Sequence, residues 1–262
     1  MKNRFRVWIN GKGLQDIDKS IYILDVQESE PQVTIKTASN AKSDGMHILN
    51  TARESLAVTI SMEVHEYSLE RRARVIEAIQ SWAQDGVLRV NYRPGQRLEC
   101  VCTVLPSVGS ALRWTDPVTV SFTAYVIPYW QAEDMQYARI TTATTSSSVG
   151  LRPIGTAKQT PMWFTVRNAS GETLNAVNII CDTTNTLFQL RELGLVSGGY
   201  VEGGYDSLGY LYIRKDDGTS VLNKRTAASS DDILVNLQEG NTIRAQADVV
   251  ATFDFSARGR FL

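Results

Sequence analysis

A chain of 262 residues and 29.1 kDa, 43% hydrophobic, has room for one large or two ordinary domains, each with its own core. Its 27 basic side chains stand against 28 acidic ones, and a net charge of -1 excludes a global field that would draw it to nucleic acid or to an anionic membrane. Two domains and protein partners are the expectation, with no nucleic acid site and no membrane.

The first eight residues start basic, but polarity returns at Asn10 and Lys12, so no apolar stretch of signal-peptide type forms, and no run is long enough to cross a bilayer. Synthesis and folding in the cytosol are expected. Residues 5–9 read as a short strand and Asn10-Gly11-Lys12-Gly13 as the turn after it. The glycine pair lacks the third glycine and the helix of a dinucleotide fingerprint. Residues 21–26 and 33–37 are further strands, separated by an acidic, proline-bounded loop. Glu28 and Glu30 in that loop carry the chemistry of paired carboxylates, but nothing in the pattern builds a pocket around them, and a solvated loop is expected. Residues 39–50 are polar, with Asp44-Gly45 as a turn signal.

From Leu56 to Val64 apolar and polar residues alternate strictly, the period of a strand with one wet face, and His65 falls on the wet side. Ser68 then caps a predicted amphipathic helix whose stripe is Leu69, Ala73, Ile76, Ile79 and Ala83, widened by Val75 and Trp82. Gly86 stands where a left-handed helix cap is expected. A hairpin follows, with strands over 87–92 and 97–105 around the tight turn Arg93-Pro94-Gly95-Gln96. Cys100 and Cys102 share a strand face with Leu98 and Val104. Together with Cys181 they form an odd set without metal-like spacing, and small core residues are the expectation. With His47 and His65 the only histidines, no ligand set for zinc is grouped, and no cofactor is implied.

Beyond Trp114 and Asp116-Pro117 the clearest strand runs over 118–126. Its off-core face is Thr119, Ser121, Thr123 and Tyr125, hydroxyls where lysine and glutamate are usual, a composition that meets another chain. Residues 127–130 close this half. The Ser/Thr-rich run 141–150 reads as a linker, giving domains at 1–137 and 160–262 joined by 138–159. The second half is strand after strand with turns at 168–171, 216–218 and 239–241 and no long helix. A last strand alternates through Ala247, Val249, Ala251, Phe253 and Phe255, completing a β-sandwich. Residues 197–210 set Tyr200, Tyr205 and Tyr210 on a glycine frame, suited to stacking on sugars or gripping a protein. The competing reading tucks those tyrosines against the sandwich. Asp216-Asp217 and Asp231-Asp232 lack the oxygen-ligand spacing of a calcium loop.

The order of these elements resembles the distal tail protein family of long-tailed bacteriophages. The resemblance is carried by Ser43-Asp44-Gly45, by Arg53 leading into the strand to Val64, by the helix, and by residues 88–105 with their Arg93-Pro94-Gly95 turn. Gly240-Asn241-Thr242-Ile243, the strand after it, and the closing Ser256-Ala257-Arg258-Gly259-Arg260-Phe261-Leu262 complete it, so that it covers nearly the whole chain. It implies a mainly β protein: an α+β N-terminal domain of split-barrel, tail-tube-like type with one helix, then an outward-projecting sandwich of galectin or carbohydrate-module shape. It further implies a structural virion protein at the tail tip or baseplate, assembled in the host cytoplasm. A hexameric ring would join the tail tube protein to the hub, or tail-associated, protein and the adsorption apparatus, with receptor-binding proteins as further partners. The family has no active-site residues to carry over. Ring contacts are expected along Thr119, Ser121, Thr123 and Tyr125, along Thr59 and Ser61, and at Arg258 and Arg260; outer-loop contacts are expected at Tyr200 and Tyr205.

Other classes fit parts of the pattern. A carbohydrate-binding adhesin or accessory module accounts for the sandwich and its tyrosines but normally carries an export signal. A glycoside or peptidoglycan hydrolase requires two carboxylates converging in a cleft, whereas the acids here fall mostly in turns. A tail-tube-like ring protein is a near neighbour, with the second domain against it.

Overall fold

The computed structural model describes residues 4–30, 33–39, 46–111, 117–206 and 208–262. The chain is mainly β and divides into two compact units, 1–130 and 131–262.

In the first unit β1 (Val7–Ile9) turns through Asn10-Gly11 into β2 (Lys12–Gly13). Both turn residues have positive φ, 50° and 80°, the type I′ geometry that Asn-Gly is suited to adopt. β3 (Ile21–Glu28) is followed by β4 (Val33–Ser39) and β5 (Met46–Arg53), which pair with each other as a two-stranded sheet. The polar reading of 39–50 therefore misses a strand; Ser43-Asp44-Gly45 lies outside the described residues. β6 (Leu56–Val64) buries each of its even-numbered residues, as the alternation requires.

Helix α1 (Leu69–Trp82) begins at Ser68, whose hydroxyl accepts from the Arg71 amide at 3.4 Å. Its buried face is Val75, Ile76, Ile79 and Trp82, joined by Arg72, whose guanidinium donates to the Val64 carbonyl. Leu69 is 64% exposed and stands off the expected stripe. The Trp82 indole meets Phe122 edge to face at 5.8 Å, and its Nε1 donates to the Lys12 carbonyl at 2.8 Å.

The helix is capped at Ala83 rather than at Gly86. Gly86, at φ 147°, instead opens β7 (Gly86–Val90), with the Asn10 side chain where a Cβ would stand. Asn10 joins the two segments: its Nδ2 donates to the Asp85 carbonyl at 3.0 Å and its Oδ1 accepts from the Val87 amide at 2.9 Å. The turn to β8 (Gln96–Val104) has proline at its second position and Gly95 at φ 72°, a type II turn. A register shift between Cys102 and Val104 breaks the alternation there. Leu98 and Cys100 are consequently buried, while Val104 is exposed. After the single turn α2 (Val108–Ala111), β9 (Val118–Ala124) pairs with both β6 and β8, giving an antiparallel order β3-β6-β9-β8-β7-β1-β2. Trp114 and Asp116 lie outside the described residues.

The second unit opens with β10 (Trp130–Thr142) and β11 (Ser147–Leu151). The Ser/Thr-rich run expected as a linker is thus two strands and a turn. Threonine and serine are at home in strands, and Leu151 and Thr142 are buried. Then follow β12 (Gln159–Asn168), β13 (Val177–Cys181), β14 (Thr186–Leu190), β15 (Tyr200–Tyr205), β16 (Leu211–Lys215), β17 (Leu234–Asn236), β18 (Asn241–Ala247) and β19 (Ala251–Phe261). One sheet runs β16-β15-β12-β19-β10, with β17 also on β12; the other runs β11-β18-β13-β14. Phe164, Phe253 and Phe255 from the first sheet meet Ile179, Phe188 and Ile243 from the second in one apolar core. The alternation through 247–255 is not one strand: the chain leaves the second sheet at Ala247 and enters the first at Ala251, both ends buried.

Two asparagines seal the unit's loops. Asn241, buried, donates to the carbonyls of Leu151 at 3.0 Å and Asn236 at 2.8 Å and accepts from the Asn236 amide at 2.7 Å. Asn168 donates to the carbonyls of Glu172 and Leu195 at 2.7 and 2.9 Å.

Candidate interaction surfaces

The hydroxyl residues of β6 and β9 are cross-strand neighbours. Thr59 pairs with Ser121 and Ser61 with Thr119, and the Thr59 and Ser121 hydroxyls lie 2.9 Å apart. Thr103 on β8 extends the row, bonding the Thr123 hydroxyl at 3.0 Å and donating to the Ser121 carbonyl at 3.2 Å. Four predicted residues, Thr59, Ser61, Thr119 and Ser121, thus form one half-buried, hydroxyl-lined sheet face, turned away from the core that Phe122 enters, while Thr123 in the same row is itself buried. Tyr125 lies just past β9 and is 57% exposed.

Arg258 and Arg260 belong to β19 in the second unit, and the Arg258 side chain bonds within that unit. The Arg258 Nη1 donates to the carbonyls of Ala132 and Glu133 at 2.8 and 2.6 Å, and the Arg260 carbonyl accepts from the amides of Thr156 and Ala157 at 2.9 and 3.1 Å.

Tyr200 and Tyr205 lie in a strand, not on a loop, and the glycines between them have a packing role. A Cβ on Gly203 would fall 2.4 Å from the Phe164 ring, and one on Gly204 2.0 Å from the Trp163 indole. Tyr205 is tucked in: its hydroxyl accepts from the Ile233 amide at 2.8 Å and donates to Asp232 at 3.1 Å, and burial pushes the phenol well above its usual range. Arg167 stacks over Tyr200 at 5.0 Å.

Glu28, expected in a solvated loop, ends β3 inside a polar cluster. Its carboxylate accepts from Arg93 Nε and Nη2 at 2.8 and 2.7 Å, from the Tyr92 hydroxyl at 2.9 Å, and from Trp130 Nε1 at 3.0 Å. Arg93 also stacks over the Trp130 ring at 5.2 Å. Burial pushes the Glu28 carboxyl up, but the bonds from Arg93 and Tyr92, the Arg93 charge and the Trp130 bond outweigh it, and the group sits below its usual range. No sequence signal joins Glu28 to Trp130, since their pairing needs the β3 end and the Arg93 turn brought together by the fold. Among the described residues no group of histidine, cysteine and acidic side chains could hold a metal, and no helix is long and apolar enough to cross a membrane.

These two β units, the first with helix α1 and the second with two facing sheets, have a fold of phage distal tail (Dit) type. One solved structure with this fold is the Dit (gp 19.1) protein of phage SPP1, described as a paradigm of the hub adsorption apparatus in phages infecting Gram-positive bacteria. It is 14% identical, with a TM-score of 0.65 over 97% of this chain and 98% of that one. Chains of the phage P2 baseplate in its activated conformation, with calcium and with strontium, align at 10% identity with TM-scores of 0.44 and 0.43. They cover 99% and 97% of this chain and 98% and 97% of theirs. At these identities the likeness is one of fold. No protein-family model matches the chain, and no curated protein matches it in sequence.

Proposed function

We propose that this chain is a structural, non-enzymatic protein of a phage tail, a distal tail protein whose copies close into a hexameric ring between the tail tube and the baseplate hub. The observation that carries this reading is the end-to-end fold likeness to SPP1 Dit, which spans both units without a large insertion on either side. The hydroxyl face of β6 and β9 supports it. Serine and threonine side chains that bond one another across strands lose little on meeting a second copy, and ring closure removes exposed strand edges.

Light scattering behind a sizing column, followed by negative-stain imaging, tests the assembly. The expected result is a hexamer with a central channel. Replacing Ser121 and Thr119 by lysine would return it to monomer with the far-UV circular dichroism unchanged. A species that stays monomeric at every concentration, or a ring indifferent to those lysines, refutes the ring or its proposed face respectively.

A further inference from the structure

The second sheet of the second unit ends at β14, and the outer edge of that strand is covered by a segment that is not itself a strand. Backbone groups of successive residues point to opposite edges of a strand, so those of Phe188 and Leu190 serve β13 while those of Leu187 and Gln189 face outward. Residues 226–230 take up that outer edge. The Thr226 amide donates to the Gln189 carbonyl at 3.1 Å and the Ser230 amide to the Leu187 carbonyl at 2.7 Å. The return bonds are of another kind: the Leu187 amide donates to the Ser230 hydroxyl at 3.1 Å and the Gln189 amide to the Ser229 hydroxyl at 3.0 Å. Two serine side chains thus stand where a neighbouring strand would offer carbonyls.

The first sheet's end at β16 is closed differently. There the Lys215 amide donates to the Thr219 carbonyl and the Val221 amide to the Ile213 carbonyl, both at 2.9 Å, and Val221 is buried. Over β14 the apolar residues of the cover, Leu222, Ala227 and Ala228, are all exposed, and the next buried apolar side chain is Ile233. Arg225 folds the segment onto itself, its Nη1 donating to the carbonyls of Ser230 and Asp231 at 3.4 and 3.1 Å. Lys224 reaches Glu192 at 2.9 Å, a pair whose acid is 82% exposed. The segment is therefore anchored by apolar burial only at its two ends and held between them by surface hydrogen bonds.

We infer that residues 222–232 are a hinged cover that lifts from β14 as one unit, between anchors at Val221 and Ile233, while both sheets stay folded. Lifting trades a few surface hydrogen bonds for bonds to water and exposes almost no apolar area, so its cost lies far below that of unfolding the sandwich. In the lifted state Leu187 and Gln189 each present a bare amide and a bare carbonyl along one edge, the groups by which a sheet takes up a further strand; closed, the cover guards that edge. Every contact involved lies within one unit of one chain, so the device stands whether or not the ring forms.

Hydrogen exchange on the full-length chain, read residue by residue by mass spectrometry with electron-transfer fragmentation, tests the cover. The amides of Leu187, Gln189, Thr226 and Ser230 are expected to exchange together, roughly a hundredfold faster than those of Phe188, Leu190 and Ile179. Urea below the unfolding transition should leave the fast set nearly unchanged, because the opening exposes little surface, while it accelerates the slow set. Replacing both serines, Ser229→Ala with Ser230→Ala, should speed Leu187 and Gln189 roughly tenfold and leave Phe188 and Leu190 as they were, with fold checked by circular dichroism. The urea series on the parent chain decides the matter where that variant fails to fold. Protection of Leu187 and Gln189 equal to that of Phe188, one urea dependence common to all these amides, or rates unmoved in the folded double variant would each overturn the assignment.

Discussion

Replacing Glu28 by alanine tests how much of the first unit depends on the half-buried carboxylate cluster around it. The substitution removes the acceptor of four hydrogen bonds and leaves the Arg93 guanidinium and the fully buried Trp130 indole without it. The Glu28 and Arg93 side chains are 19% and 23% exposed. The penalty therefore lies between that of a surface pair, about 0–1 kcal/mol, and that of a broken buried pair, about 3–5 kcal/mol. With one buried indole donor also losing its partner, a cost of about 2–4 kcal/mol is expected. Urea unfolding followed by tryptophan emission and circular dichroism measures it, and the emission should report the change around Trp130. Because the folded carboxyl sits below its usual range, its contribution is complete above the unfolded pKa and is lost as pH falls through the folded one. The gap between parent and Glu28→Ala should thus be full at neutral pH and narrow in acid below the ordinary glutamate value of 4.5. A variant within about 0.5 kcal/mol of the parent at neutral pH, or a gap that widens in acid, would refute the reasoning.

Three further outcomes are expected. Gly203→Ala forces a methyl against the Phe164 ring and should cost about 1–3 kcal/mol in urea unfolding; most of this should return in the double variant with Phe164→Leu, and additive losses would show that the contact is not the cause. Asn241→Ala leaves two carbonyls and an amide without their partner and should lower the melting temperature by about 5–10 °C in circular dichroism; an unchanged midpoint would contradict the seal described here. In native protein at pH 8 a thiol reagent should label Cys102 alone, slowly, because Cys100 and Cys181 are buried and burial pushes the Cys100 thiol up to about 12; rapid labelling of two or more thiols would contradict the packing.

The elements legible in the sequence are those whose signal is local. Ser68 and the 3.6-residue stripe place α1, strict alternation places β6 and β9, and Pro94-Gly95 has the turn chemistry of the first hairpin. Errors arise where one pattern serves two structures. The alternation through 247–255 crosses from one sheet to the other without losing phase, and threonine-rich strands imitate a linker. The hydroxyl row was half visible, because strand period gives the face of Ser121 but not its neighbour Thr59. Glu28 was invisible for the same reason: it gains its role from residues that only the fold brings beside it. The glycines at 203 and 204 looked like flexibility, yet each makes room for an aromatic ring.

The hairpin at Asn10-Gly11 has a consequence for the protein's chemical lifetime. Asparagine followed by glycine is the pair most prone to lose ammonia, through attack of the glycine amide nitrogen on the asparagine side-chain carbon to give a succinimide that water opens to aspartate or isoaspartate. Here both ends of that side-chain amide are clamped, by the Asp85 carbonyl and the Val87 amide, and the turn holds the backbone in the left-handed region. Ageing at this position can proceed only when β1 and β7 part, so isoaspartate at residue 10 would record the time each copy has spent locally open.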